Sequence, residues 1–188
     1  MIVLGVLADT HVPDRRASLD PRVLAVFRSA GVKAILHAGD VSTQLVLDQL
    51  AQVAPVYAVR GNRDFARLRH LPVDLLLEFE GVKVGMVHGH GDWQRYFVDK
   101  LHWLMEGIQE QRYRRRALAA FTEADVVIFG HLHRPINAWV DGKLLFNPGS
   151  SCCPDELYGP ASVGLITLSD GKVVKSEIRG LESSPTGL

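Results

Sequence analysis

A chain of 188 residues, 47% apolar and 22% charged, has the length and composition of one globular domain with a substantial core and is short for two. Its 21 basic side chains balance 21 acidic ones, which excludes a global field favouring nucleic acid or acidic membranes. No apolar run approaches the ~20 residues needed to span a bilayer, no basic region with a cleavage site opens the chain, and the only two cysteines, Cys152 and Cys153, are adjacent and build no disulfide framework, so a cytoplasmic protein is expected.

The first run, IVLGVLADTH, is short, apolar and rich in Val, Ile and Leu, and reads as a strand buried on both faces that stops at Asp9-Thr10-His11. Asp20 then reads as an N-cap, Pro21 as the first helical residue and Gly31 as the stop, with Val23, Leu24, Phe27 and Ala30 at helical spacing. A second strand, Ala34 to His37, leads to Gly39-Asp40. Ser42 or Thr43 caps a helix to about Val53, with Leu45, Val46, Leu50 and Val53 inward. Val56 to Val59 is a third strand, followed by Gly61-Asn62-Arg63-Asp64. This β-α-β-α-β order implies parallel pairing. Leu75 to Phe79 and Val82 to Val87 read as a hairpin, and Asp92 to Phe121 has no strand signal. Within that stretch Leu101, Leu104, Met105 and Ile108 share a helical face, followed by Arg112, Arg114, Arg115 and Arg116. Strands resume at Val126 to Phe129, at Ile136 to Val140 and Leu144 to Phe146 around Asp141-Gly142, and at Val163 to Leu168 and Val173 to Ile178 around Asp170-Gly171. A parallel half followed by antiparallel hairpins predicts an α/β fold with two mixed sheets face to face and helices outside. One domain over residues 1–181 is expected, with a disordered tail, Glu182 to Leu188.

Five apolar runs end in Asp, Asn or His, usually beside Gly. In open α/β sheets, sites form beyond the carboxyl ends of strands. The collected groups are Asp9, His11, Asp40, Asn62, His88, His131 and His133. This mixed nitrogen and oxygen set suits Mn, Fe or Zn better than Mg or Ca. It is too large for one ion and fits two if a carboxylate bridges; such a pair clamps the attacking and leaving oxygens in phosphoryl displacement.

The ordered set Asp9-Thr-His11, Gly39-Asp40, Gly61-Asn62-Arg-Asp64, His88-Gly-His90 and Gly130-His131-Leu-His133 resembles the calcineurin-like metallophosphoesterases. The short length and Asn147-Pro148-Gly149-Ser150 resemble their small bacterial and archaeal phosphodiesterase branch. The resemblance implies a four-layer αββα sandwich. It implies that Asp9, His11 and His133 bind one ion, Asn62, His88 and His131 a second, and that Asp40 bridges. Manganese is the favoured ion, with iron, zinc, nickel and cobalt as alternatives. The implied reaction is hydrolysis of a phosphodiester by a metal-bridging hydroxide. Charge counting leans the same way: two divalent ions, two carboxylates and one hydroxide leave a balance that a diester monoanion matches. The alternatives are a phosphomonoesterase or nuclease of the same fold, or a non-catalytic protein-interaction scaffold like the retromer subunit that resembles this family. A small-molecule diester is the expected partner, nucleic acid is not favoured, no membrane is involved, and a homo-oligomer is possible.

Arg63 stands where many relatives carry His and members of the small branch often carry Cys. It replaces a proton donor by a permanent cation and is a candidate catalytic group, as is His90. His90 has two readings, contact with a phosphate oxygen or orientation of His88. Asp64 and Asp92 orient ligand histidines or cap loops. His37 reads as a core or supporting residue, and His70 and His102 as surface or packing. The arginine cluster reads first as a solvated face and second as a substrate contact. Cys152 and Cys153, before Pro154, read as packing.

Overall fold

Alternate burial organises the strands, because successive side chains point to opposite faces. The structure, a computed structural model, describes residues 1–91, 98–99, 101, 105, 107, 109–152 and 159–181. Asp92, His102, Leu104, Ile108, Cys153, Pro154 and the Glu182–Leu188 tail lie outside them. The order is β1 (Ile2–Leu7), α1 (Pro21–Ser29), β2 (Ala34–His37), α2 (Gln44–Ala51), β3 (Val56–Ala58), β4 (Asp74–Phe79), β5 (Val82–Val87), α3 (Glu110–Ala120), β6 (Val126–Phe129), β7 (Pro135–Val140), β8 (Lys143–Pro148), β9 (Ser162–Ser169) and β10 (Lys172–Gly180). They form two five-stranded mixed sheets, β10-β9-β1-β2-β3 and β4-β5-β6-β8-β7.

Three apolar layers follow from this alternation. Leu7 and Ile35 face outward to α1 and α2, meeting Val23, Phe27, Val46 and Leu50. Leu4, Val6 and Leu36 face inward and pack on Val84, Met86, Ile128 and Phe146 of the second sheet. Val127, Phe129 and Leu145 face the far side, under Ala117 of α3 and Phe121. Helices therefore flank two stacked sheets, the αββα order expected.

Local signals explain the helix ends. The Asp20 carboxylate accepts the backbone N–H of Arg22 at 2.9 Å, with Pro21 at the first helical position. Gly31 takes a left-handed φ of 60°, closing α1. Helix α2 begins after Thr43, whose side chain makes no cap bond, and its buried face is Val46, Leu47 and Leu50. Leu45, expected inward, is 57% exposed; with α2 starting at Gln44, Leu47 takes the inward place.

The second half pairs differently from a series of hairpins. Strands β5, β6 and β8 run parallel, with Val87 beside Phe129 and Ile128 beside Phe146. The β9-β10 hairpin returns to the first sheet, where β9 lies antiparallel to β1. Strand β6 is buried throughout, so it needs a neighbour on each side. Parallel neighbours require long crossovers, and the stretch containing α3 supplies the one between β5 and β6. Among the described residues, no helix is long and apolar enough to cross a membrane.

The two sheets touch closely at Gly164 of β9, where a Cβ would overlap the buried Phe146 ring. Gly164→Ala is expected to cost about 1–3 kcal/mol through overpacking. Urea unfolding should show a lower midpoint at an unchanged slope.

Candidate metal centre

Strand register brings the functional groups together. In the first sheet Leu7 pairs with His37 and His37 with Ala58, so β1, β2 and β3 end level. Asp9, His11, Asp40 and Asn62 leave from those ends. In the second sheet Val87 pairs with Phe129, so His88 and His131 emerge side by side. His133 follows on the same turn. The first two loops are clipped by backbone bonds, Asp9 N–H to Gly39 O at 3.0 Å and His11 N–H to Asp40 O at 3.1 Å.

Asp9, His11, Asp40, His131 and His133 all have left-handed backbones, with φ between 48° and 69°. This region is uncommon outside Gly, and each strained residue costs on the order of 1–3 kcal/mol. Such strain persists only where surrounding bonds enforce it. Gly39 and Gly61 permit the close approach: a Cβ at Gly39 would sit 2.7 Å from His88 Nδ1, and one at Gly61 would overlap the Asp40 carboxylate.

The donor atoms form two adjoining groups. In the first, His11 Nε2 and His133 Nε2 approach to 3.1 Å and lie 3.7 and 3.3 Å from Asp9 Oδ1. Asp9 Oδ1 is buried and has no hydrogen-bond partner. In the second, His88 Nε2 and His131 Nδ1 come within 3.2 and 3.1 Å of Asn62 Oδ1. Asp40 faces both, with Oδ2 3.9 Å from His11 Nε2 and Oδ1 3.5 Å from His88 Nε2. The sets Asp9, His11, His133 and Asp9, Asp40, His88 each place one donor atom apiece within 4.8 Å of one another, a spacing that can hold an ion. Converging lone pairs around an unpartnered buried oxygen fit divalent cations.

The electrostatics are set by burial and by carboxylate–imidazole pairing. Burial pushes the Asp9 carboxyl up, but the neighbouring His133 carries it below its usual value. Asp40 is likewise pushed up by burial and brought well below the usual carboxylate range by His88. Burial opposes the charge on His88, and Asp40 outweighs it, raising the imidazole to about 9. His131 is pushed down to about 3 by burial and by the neighbouring His88. His88 Nδ1 donates to the Ala38 carbonyl at 2.7 Å, which reserves Nε2 for the cluster.

The supporting residues were only partly visible in the sequence. Asn147 donates through Nδ2 to the Gly130 carbonyl at 2.9 Å and accepts from Gly149 N–H at 3.0 Å, which steadies the turn carrying His131. Ser150 Oγ donates to the Asp9 carbonyl at 2.9 Å. The fourfold Asn-Pro-Gly-Ser signature was the only sequence signal for these roles. Thr10 Oγ1 donates to the Val41 carbonyl at 3.1 Å and lies 3.2 Å from buried His37 Nε2. Asp64 accepts from the N–H groups of Ser42 at 2.7 Å and Gly61 at 2.8 Å. It therefore caps the loop. Cys152 is buried, and its N–H donates to Ser150 Oγ at 3.3 Å.

Arg63 places its backbone N–H on Asp40 Oδ1 at 2.8 Å and leaves its side chain exposed. The Ala38 carbonyl orients His88, and the His90 ring centroid lies 5.4 Å from that of His88. Among the described residues the buried His90 Nδ1 has no hydrogen-bond partner. The arginine cluster departs from a solvated face. Arg116 donates to the Gly89 carbonyl at 3.0 Å, pairs with Asp99 at 2.8 Å and lies over the Tyr113 ring. That ring sits 5.4 Å from the ring of His131. Arg114 pairs with Glu110.

The chain matches the description "Calcineurin-like phosphoesterase superfamily domain" over residues 2–171. It belongs to that superfamily. This superfamily member is 33% identical over 181 residues to a probable metallophosphoesterase of Methanothermobacter thermautotrophicus, covering 94% of this chain and 91% of the relative. It is 24% identical over 166 residues to a phosphodiesterase of Methanocaldococcus jannaschii, covering 87% of this chain and 91% of that one. Its fold is similar to that of Vps29 from Entamoeba histolytica, with a TM-score of 0.66 at 22% identity over 96% of this chain and 100% of the other. The archaeal relatives agree with the small prokaryotic branch of the superfamily, whose metallophosphoesterases use divalent metals.

Asn147→Ala removes one of two donors to the Gly130 carbonyl, which keeps the Leu132 N–H, and leaves the buried Gly149 N–H without its acceptor. A loss of about 1–3 kcal/mol is expected. Calorimetric titration of the stripped protein with Mn²⁺ should show weakened binding, since the His131 turn loses its brace.

Proposed function

We propose that the chain is a metal-dependent phosphodiesterase working with two divalent ions, manganese in preference to iron, zinc, nickel or cobalt. The observation that carries this reading is the pair of adjoining donor groups with Asp40 facing both. Asp9, His11 and His133 would hold one ion, and Asn62, His88 and His131 the other, with Asp40 between them. Ions bound there would lower the pKa of water and neutralise charge on a phosphoryl group. All seven donor positions are filled, which favours catalysis over the scaffold role. The diester preference rests on charge balance and on likeness to the archaeal phosphodiesterase.

The chain's own residues do the positioning. The Arg63 N–H holds Asp40 Oδ1 in place. The exposed Arg63 guanidinium presents a rigid fork of donors suited to two phosphate oxygens. His90 offers its ring to a phosphate oxygen. The Arg63 side chain acts here as a hydrogen-bond donor and not as a general acid, so the leaving group departs without help from this position.

Two outcomes test the reading. Stripped protein should rebind close to two transition-metal ions per chain by elemental analysis. Asp40→Asn should weaken both, while His133→Ala should mainly affect one; a wild type that rebinds none removes the basis of the mechanism. With chemistry rate-limiting, turnover of a diester series should rise steeply with leaving-group acidity. Arg63→Ala should slow every substrate by about 1.5–3 kcal/mol, one charged hydrogen bond. A flat series in the wild type would assign the proton to another acid, His90 first.

A further inference from the structure

A groove of about 860 Å³ lies beside the donor cluster, outside the seven donor positions. Its volume falls within the ~300–1,000 Å³ typical of small-molecule sites. Gly89 and Gly91 form part of its wall, so it borders the loop that carries His88 and His90. Val87 and Ala119 give it an apolar side, and Arg112, Arg115 and Arg116 line the other with Asp99.

The charges are unequal. Among the described residues that line it, three guanidiniums face one carboxylate, an excess of positive charge against low-dielectric walls. Asp99 is spent on Arg116 at 2.8 Å and reaches Arg112 only at 3.8 Å. Among the described residues Arg115 has no acidic partner, and it is exposed at the groove. Arg116 is fixed by the Gly89 carbonyl and Asp99, so it shapes the wall. Arg115 is left to meet a ligand, beside Arg112, which Asp99 holds only at 3.8 Å. An apolar cleft with uncompensated guanidiniums selects a flat organic body that carries its own anionic group.

We propose that this groove binds the non-reacting arm of the substrate, and that this arm is apolar and anionic. The inference rests on the phosphodiesterase reading for the reacting end and on the groove alone for the arm. It makes α3 the element that chooses among diesters, while the donor cluster treats them alike.

The test separates the two. Naphthalene-1,5-disulfonate, which is flat, dianionic and free of phosphate, is titrated calorimetrically into metal-stripped full-length protein. Binding is expected, weakening with added salt and falling roughly tenfold or more in Arg115→Glu, the worth of one charged contact. His131→Ala should leave it unchanged. No binding to the wild type, or equal binding to Arg115→Glu, overturns the proposal. The loaded protein is then given bis(4-nitrophenyl) phosphate and its analogue with one 4-carboxyphenyl arm. The carboxylate arm should lower KM about tenfold in the wild type and not in Arg115→Glu. Turnover of the diester with two uncharged arms should be the same in both. Equal KM for the two diesters in the wild type would also overturn the proposal. Absence of turnover on both would count against the phosphodiesterase reading, and the disulfonate titration would still decide the groove.

Discussion

Two buried carboxylates govern this molecule. Asp9 and Asp40 lie among strand ends with almost no exposure, and an unpaired buried carboxylate is prohibitively costly. The first sheet cannot satisfy them alone, since its own imidazole contribution to the cluster is His11. The remaining imidazoles, His88, His131 and His133, come from the second sheet. The apolar layer between the sheets therefore has an electrostatic task besides its hydrophobic one. Leu4, Val6 and Leu36 packing on Val84, Met86 and Ile128 hold the two sets of strand ends at the separation where carboxylate meets imidazole. A sliding of one sheet over the other would lose pairing as well as apolar contact.

The same constraint explains the backbone. A carboxylate and an imidazole two residues apart can converge on one point only if the chain turns sharply, and the left-handed residues make that turn. Their strain is held by bonds from outside each loop: Ser150 on Asp9, Thr10 on the Asp40–Val41 loop, and Asn147 beside His131. Bracing of this kind pre-forms a site before any ligand arrives, which lowers the reorganisation that binding demands.

The seven clustered side chains were legible in the sequence because each carries a local signature, an apolar run that halts at Asp, Asn or His beside Gly. The face-to-face sheets were legible from the same runs. Partnership was not. The parallel alignment of β5, β6 and β8 joins segments separated by a long crossover, and an apolar run does not name its neighbour. Leu45 illustrates a smaller version: a shift in where α2 begins rotates the inward face onto Leu47. Asp64 could be read as cap or orienting group until its two N–H partners were placed. The arginines of α3 have the spacing of a solvated face, and only the placement of Asp99 and Gly89 distinguishes those that brace from those left free.

The register between β5 and β6 carries a broader consequence. Val87 beside Phe129 fixes where His88 and His131 emerge, whatever the length of the chain joining the two strands. That crossover is a place where length and composition can drift while the chemistry stays constant. The independence is incomplete where the Arg116 guanidinium meets the Gly89 carbonyl and the Tyr113 ring meets that of His131. Through those contacts the crossover is coupled to the loops that follow β5 and β6. Exchanging the crossover between relatives should therefore transplant preference intact only when an equivalent guanidinium travels with it.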